Sequence, residues 1–230
     1  MANAPYVVVW GSGSSLQKHA QARAGRDDQK GMKMDETPAP RPYRHGNLPN
    51  AMRAAARAIL DEAGPDGVGL RETARRVGVS ATAAYRHFDS KEDLLASVAA
   101  EGFRELTAAM KAAGETPEPL IGVGLAYVEF ALQKRGLFRL MFGPLMVERA
   151  RYPKLNEAVG EALGFLEQVV TGAEAKTQDE SPATLAAWGL VHGLSTLFID
   201  GLVPESQARS MAEQILARSR HARPGASSVQ

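Results

Sequence analysis

Thr82, Arg86 and Lys91 fall within ten residues of one another, and around Thr82 stand the small side chains of Ala81 and Ala83. No paired metal-ligand spacing of histidines, no Gly-x-Ser-x-Gly and no Walker-type phosphate loop accompanies them. Hydroxyl and cationic groups on a low, alanine-lined helix face suit a different task, contact with a nucleic-acid duplex. Small side chains let a helix enter a major groove closely, Thr82 can offer a hydroxyl and a methyl to a base edge, and Arg86 can reach a base or a phosphate. Lys91, opening a further helix, can hold a phosphate together with the first-turn amides.

Such groups need rigid elements to aim them. Leu70, Ala74 and Val77 stand at i, i+4 and i+7, giving a two-turn helix one apolar face, with Arg71, Arg75 and Arg76 directed elsewhere. Gly78 follows where a left-handed residue would end that helix, Val79 can plug the core, and Ser80 is a good N-cap for a second helix over residues 81–87. Ala84 and Phe88 are its inward residues. Ser90-Lys91-Glu92-Asp93 then reads as another cap with an acidic residue three positions on. On helix lengths and turn alone, the stretch fits a helix-turn-helix, with a plain helical hairpin within a bundle as the lesser alternative.

The rest of the chain narrows the options. From Leu48 onward apolar residues recur at helical spacing between Gly- and Pro-containing breaks, which predicts about nine helices and an all-α fold. Residues 1–40 show no such periodicity and end in Thr37-Pro38-Ala39-Pro40-Arg41-Pro42, so they are expected to be a disordered extension, as are residues 220–230. Met34 is a candidate alternative start that would make the first 33 residues dispensable. The chain has no cysteine, which removes disulfides, thiolate metal sites and cysteine nucleophiles. No window approaches the roughly 20 apolar residues that span a bilayer. The expectation is a cytoplasmic protein with no membrane partner. A net charge of +1 neither favours nor excludes nucleic acid, because a binder needs a basic face and not a basic total. Histidines at 19, 45, 87, 192 and 221 show no paired metal spacing. The run Val7-Val8-Val9-Trp10-Gly11-Ser12-Gly13 lacks the third glycine and the helix of a dinucleotide loop. Neither a catalytic site nor a cofactor or metal is expected.

Residues 70–95, LRETARRVGVSATAAYRHFDSKEDLL, strongly resemble the DNA-binding region of the TetR/AcrR family of regulators in the order and spacing of Gly-Val-Ser, Tyr-x-His-Phe and Lys-Glu-x-Leu. Upstream, Tyr43-Arg44-His45-Gly46-Asn47-Leu48 is similar to the lead-in to that family's first helix, here about 47–63. The resemblance implies groove-facing roles for Ser80, Ala81, Thr82, Ala83 and Arg86, phosphate contacts for Tyr85, His87 and Lys91, and a place for Arg44 at the same interface. Two positions depart from the family pattern: Thr73, where a larger aliphatic is usual, and Ala84, where Leu or Pro is common.

In the second half, helices are expected over about 90–113, 120–134, 154–170 and 182–201, with Leu125, Val128, Phe130 and Leu132 inside. Phe130, Phe138, Met141, Phe142 and Met146 are either core residues or the walls of an adaptable apolar pocket. Leu155, Val159, Leu163, Leu166 and Val170 form the apolar stripe of one later helix. Gly160 and Gly164 in that helix, and Gly189 and Gly193 in the next, lie four residues apart. A helix-interior glycine costs roughly 1 kcal/mol relative to alanine, so such pairs imply close backbone packing, within one subunit or across a two-fold axis. Ala187-Trp188-Gly189-Leu190-Val191-His192-Gly193 resembles the Trp/His-Gly signature of a C-terminal domain in one branch of the family. That adds Trp188 and His192 as pocket or dimer residues.

Together these readings describe a three-helix DNA-binding domain over 41–92 and a helical ligand-binding and dimerisation domain over 93–219. The expected function is a homodimeric repressor, released from a palindromic double-stranded operator by a small, mostly hydrophobic effector. A helical adaptor that binds only proteins, and more remotely an enzyme, are the rival readings.

Overall fold

The computed structural model describes residues 47–172 and 181–221, so Arg44, the 1–40 extension, the Met34 start and nearly all of the 220–230 tail lie outside it. The described residues form ten α-helices and one 3-10 turn and contain no strand. They are α1 (Leu48–Gly67), α2 (Leu70–Val77), α3 (Ala81–Tyr85), α4 (Lys91–Gly114), α5 (Pro119–Gln133), α6 (Arg135–Met141), α7 (Pro144–Val147), α8 (Pro153–Thr171), α9 (Pro182–Ile199) and α10 (Glu205–His221), with the 3-10 turn Arg149–Arg151 before α8. Ten helices stand against about nine expected; the helix expected over 120–134 ends at Gln133, and Lys134 separates it from α6. The break expected at Gly64 is a kink inside α1, where Gly64 has φ 70.

Helix α4 is the spine. Its buried positions run from Leu94 to Met110, and they pack against α1 at one end and against α5, α6 and α8 along the rest. Where α4 crosses α6, a Cβ on Gly102 would meet the Met141 sulfur at 2.6 Å, so Met141 rests directly on the glycine and would have to shift for any larger residue there. Ion pairs fasten α1 to the same spine. Arg53 binds Glu101, and Arg57 holds Glu105 with both arms of its guanidinium, one at 3.0 Å, while Lys134 at the α5–α6 corner binds the same carboxylate. The Arg57 guanidinium, with help from Lys134, holds the Glu105 carboxyl down to about 2.

Helix α9 departs from expectation in one respect. By length and composition it is apolar enough to cross a membrane, with a mean hydropathy of 1.3, although the sequence pattern predicts no such window. In the fold it lies against α5, α8 and α10, yet only 28% of it is buried.

Candidate nucleic-acid interface and adjoining cavity

The helix-turn-helix is built by short-range bonds. Gly78 ends α2 in the left-handed region at φ 76, its amide donating to the Arg75 carbonyl while the Val79 amide donates to Ala74 at 3.0 Å. Ser80 caps α3 through its hydroxyl oxygen, which accepts from the Ala83 amide at 3.2 Å. Ala84 and Phe88 are buried and seat α3 on the core. The second helix is shorter than the 81–87 expected: past Tyr85 the His87 and Phe88 amides both turn back onto the Ala84 carbonyl.

With the inward side so anchored, Ser80, Thr82, Tyr85, Arg86 and His87 are all exposed, and Ala81 and Ala83 are half-buried beside them. Tyr85 is conspicuous as a large aromatic ring left 50% exposed. Ser90 caps α4 by accepting from the Asp93 amide at 3.1 Å, and the Asp93 carboxylate in turn accepts from the Asp89 amide at 3.2 Å. Lys91 therefore stands at the positive end of a 24-residue helix, its ammonium 3.4 Å from the Asp66 carbonyl. Arg75 and Arg76 are different. Glu72 holds both, Glu62 holds Arg76 at 2.7 and 2.8 Å, and these guanidinium groups pull the Glu72 carboxyl to about 2. Thr73 is fully buried and donates to the Gly69 carbonyl at 2.8 Å, so its hydroxyl is satisfied where an aliphatic is usual.

The second half holds a cavity of about 340 Å³, walled by α4, α5, α8, α9 and α10 through residues such as Met110, Leu120, Ile121, Leu166, Leu190 and Leu216. None of the seven residues singled out from the sequence lines it. Five of them sit next to it in one aromatic cluster or against that cluster: Phe138, Phe142, Trp188 and His192 surround Tyr127, and Met146 borders a void of about 20 Å³ with Phe142 and Trp188. Met141 is buried on Gly102, and Phe130 is buried beneath the Lys134 ammonium, 5.2 Å from its ring centroid.

Tyr127, which sequence reasoning missed, connects the two. It lines the cavity, and its hydroxyl accepts from the Trp188 indole at 3.2 Å and lies 3.0 Å from His192 Nδ1. A protonated Nδ1 would leave the phenol proton without an acceptor beside the apolar wall of the cavity, so that proton is assigned to Nδ1 of a neutral imidazole and the histidine proton to Nε2. Burial pushes the Tyr127 phenol up and the His192 imidazole down, both toward their neutral forms. Beyond His192 a shallower cleft of about 180 Å³ is edged by Phe138, Phe142 and the Arg139–Asp200 pair at 2.9 Å.

All four paired glycines face open space. A Cβ built on Gly160, Gly164, Gly189 or Gly193 would meet nothing within 4 Å. Among the described residues, then, no backbone of the same chain makes use of them. Leu185 and Leu197 continue the line of Gly189 and Gly193 at four-residue steps along α9 and are 56% and 43% exposed.

Comparison with known proteins agrees with this anatomy. Residues 53–98 match the profile of bacterial regulatory proteins of the tetR family, and residues 120–218 match that of a tetracyclin repressor-like C-terminal domain. A protein of unknown function from Rhodococcus sp. RHA1 is 31% identical with a TM-score of 0.63, over 78% of this chain and 98% of that one. The fatty acid degradation regulator FadR from Bacillus halodurans shares the fold at 19% identity and TM-score 0.57, over 76% and 96% of the two chains. The TetR family transcriptional regulator PfmR from Thermus thermophilus shares it at 20% identity and TM-score 0.50, over 72% and 94%. No curated protein matches the chain significantly.

Proposed function

The chain belongs to the TetR family of bacterial regulatory proteins, and from that premise we propose that it is a homodimeric repressor that a small apolar effector releases from a palindromic operator. The observation that carries the reading is the exposed rim of the helix-turn-helix. Thr82, Tyr85, Arg86 and His87 project outward while Ala84 and Phe88 anchor the same short helix inward. In this reading Thr82 and Arg86 read base edges, flanked by Ser80, Ala81 and Ala83, and Tyr85, His87 and Lys91 hold phosphates. Arg44 joins them from the lead-in to α1. The DNA-binding domain is 41–92 and the effector and dimerisation domain 93–219, with α4 running through both.

The dimer forms on α8 and α9. Their exposed glycine pairs let a second copy of α8 and α9 approach closely, and the apolar, largely uncovered face of α9 supplies the burial. Two recognition helices then enter successive major grooves about 34 Å apart. The protein works in the cytoplasm, where its operator is.

Effector and operator compete through conformation. The 340 Å³ cavity touches Tyr127, Tyr127 packs on Phe138 and Phe142, and α6 carries Phe138 between that cluster and α1. An effector that fits one arrangement of this wall better than the other shifts the spacing of the two α3 helices by its difference in affinity for the two states. Fluorescence anisotropy on duplexes from the gene's own upstream region tests the reading. Saturable, salt-sensitive binding to one of them is expected, and binding no tighter than to an unrelated duplex refutes it.

A further inference from the structure

We infer that the large cavity takes a neutral apolar molecule whose one polar group is a hydrogen-bond donor, such as an alcohol, and discriminates against the matching carboxylate. The inference rests on the reading of this cavity as the effector site and adds the chemistry of the ligand's head group.

Among the described residues, no Asp, Glu, Lys, Arg or His lines the cavity. Its polar side chains are two hydroxyls, those of Tyr127 and Ser219, and both protons are already used. The Ser219 hydroxyl donates to the Ile215 carbonyl of its own helix at 2.6 Å. With the His192 proton assigned to Nε2, the Tyr127 proton bonds Nδ1 at 3.0 Å, and the same oxygen accepts the Trp188 indole N–H at 3.2 Å. The oxygens keep lone-pair capacity and nothing to donate.

That asymmetry selects a head group. A carboxylate, phosphate or carbonyl brings only acceptors into a space that offers no free donor, and stripping water from an unpaired acceptor is unfavourable, far more so when it is charged. An alcohol brings a donor that either lone pair can receive. Among the described residues, the mouth is bounded by the exposed Ala183, Ala186 and Ser219, small side chains without a cation among them. The remaining wall, including Met110, Leu166, Val170, Leu190, Val191 and Leu216, rewards aliphatic or ring carbon.

Isothermal titration of the full-length protein at about pH 8, where carboxylic acids are ionised, decides the point. The probes are 1-hexanol, 1-octanol and 1-decanol, set against hexanoate, octanoate and decanoate. Alkanol affinity is expected to rise about fourfold per methylene until the chain outgrows the cavity. Each carboxylate is expected to bind at least roughly tenfold more weakly than its alcohol, the penalty of an uncompensated charge. Ala187→Phe, inside the cavity, and Ala183→Trp, at its exposed mouth where folding is not at stake, should both weaken alkanol binding. Carboxylates that bind as tightly as the alcohols overturn the head-group inference and leave an apolar effector site standing. Failure of both series to bind overturns the effector-site reading and the inference with it. Alkanol binding untouched by both variants places the ligand elsewhere and overturns both as well.

Discussion

Replacing Leu185 and Leu197 together by alanine isolates the proposed dimer face from everything else the protein does. Both leucines are roughly half exposed, at 56% and 43%, so the single chain gains little from them and should keep its fold. Covering a fully exposed leucine is worth about 2 kcal/mol, so the uncovered parts contribute about 1 kcal/mol each, or about 4 kcal/mol over the four leucines of a two-fold dimer. Alanine retains the Cβ, which leaves a loss of about 2–3 kcal/mol and a dimer Kd roughly 30- to 150-fold weaker. Sedimentation equilibrium measures that constant, and circular dichroism confirms that helix content is unchanged. Gly193→Leu is the companion. Its Cβ meets nothing within 4 Å in the single chain, so it should fold, yet a leucine there blocks the close approach of a second backbone. Operator affinity should fall in both variants at protein concentrations below the new Kd, because one recognition helix per duplex loses the joint occupancy of two half-sites. A dimer constant unchanged in both variants, or a wild-type chain that is already monomeric at micromolar concentration, refutes the reasoning.

Lys91→Ala should weaken binding to every duplex alike and, since each dimer then neutralises two fewer phosphates, reduce the slope of log K against log salt by about 1.8; a slope equal to that of the wild type removes Lys91 from the interface. Thr82→Val should instead change the ranking of operator variants at one base pair per half-site, read from a competition panel, while leaving the salt slope alone. Tyr127→Phe strands the Trp188 indole N–H and His192 Nδ1 and is expected to lower unfolding free energy by about 1–3 kcal/mol in urea, against almost no change for an exposed hydroxyl. Because Arg57 and Lys134 hold the Glu105 carboxyl at about 2, below its unfolded value of 4.5, the stabilisation it provides is complete above about pH 4.5 and is lost as pH falls toward 2. Melting temperatures of Glu105→Gln should therefore decline less steeply across that window than those of the wild type.

The parts legible in the sequence are those that neighbouring residues decide among themselves. Ser80 and Ser90 cap the helices that follow them, and Gly78 takes the left-handed turn, because each depends on hydrogen bonds and backbone angles within three or four residues. The buried stripe of α8, Leu155, Val159, Leu166 and Val170, follows from helical periodicity in the same way. The stop of α3 at Tyr85, short of the expected 87, carries no such local mark: no Gly or Pro stands between Ala81 and Phe88, and the His87 and Phe88 amides both turn back onto the Ala84 carbonyl where Phe88 is buried.

What the fold alone decided is where the space lies. Phe138, Phe142 and Trp188 are large and apolar, which makes them good at filling volume, and they fill it around Tyr127; the cavity forms where five helices fail to meet, beside smaller or aliphatic residues such as Ala187 and Val191. Residue type tells that a side chain prefers burial and says nothing of what stands opposite it. The glycine pairs show the same division. The spacing of Gly160, Gly164, Gly189 and Gly193 raised the expectation of a close backbone, and only the tertiary arrangement shows that none from the same chain comes there among the described residues, since that is a property of every helix at once and of no single stretch.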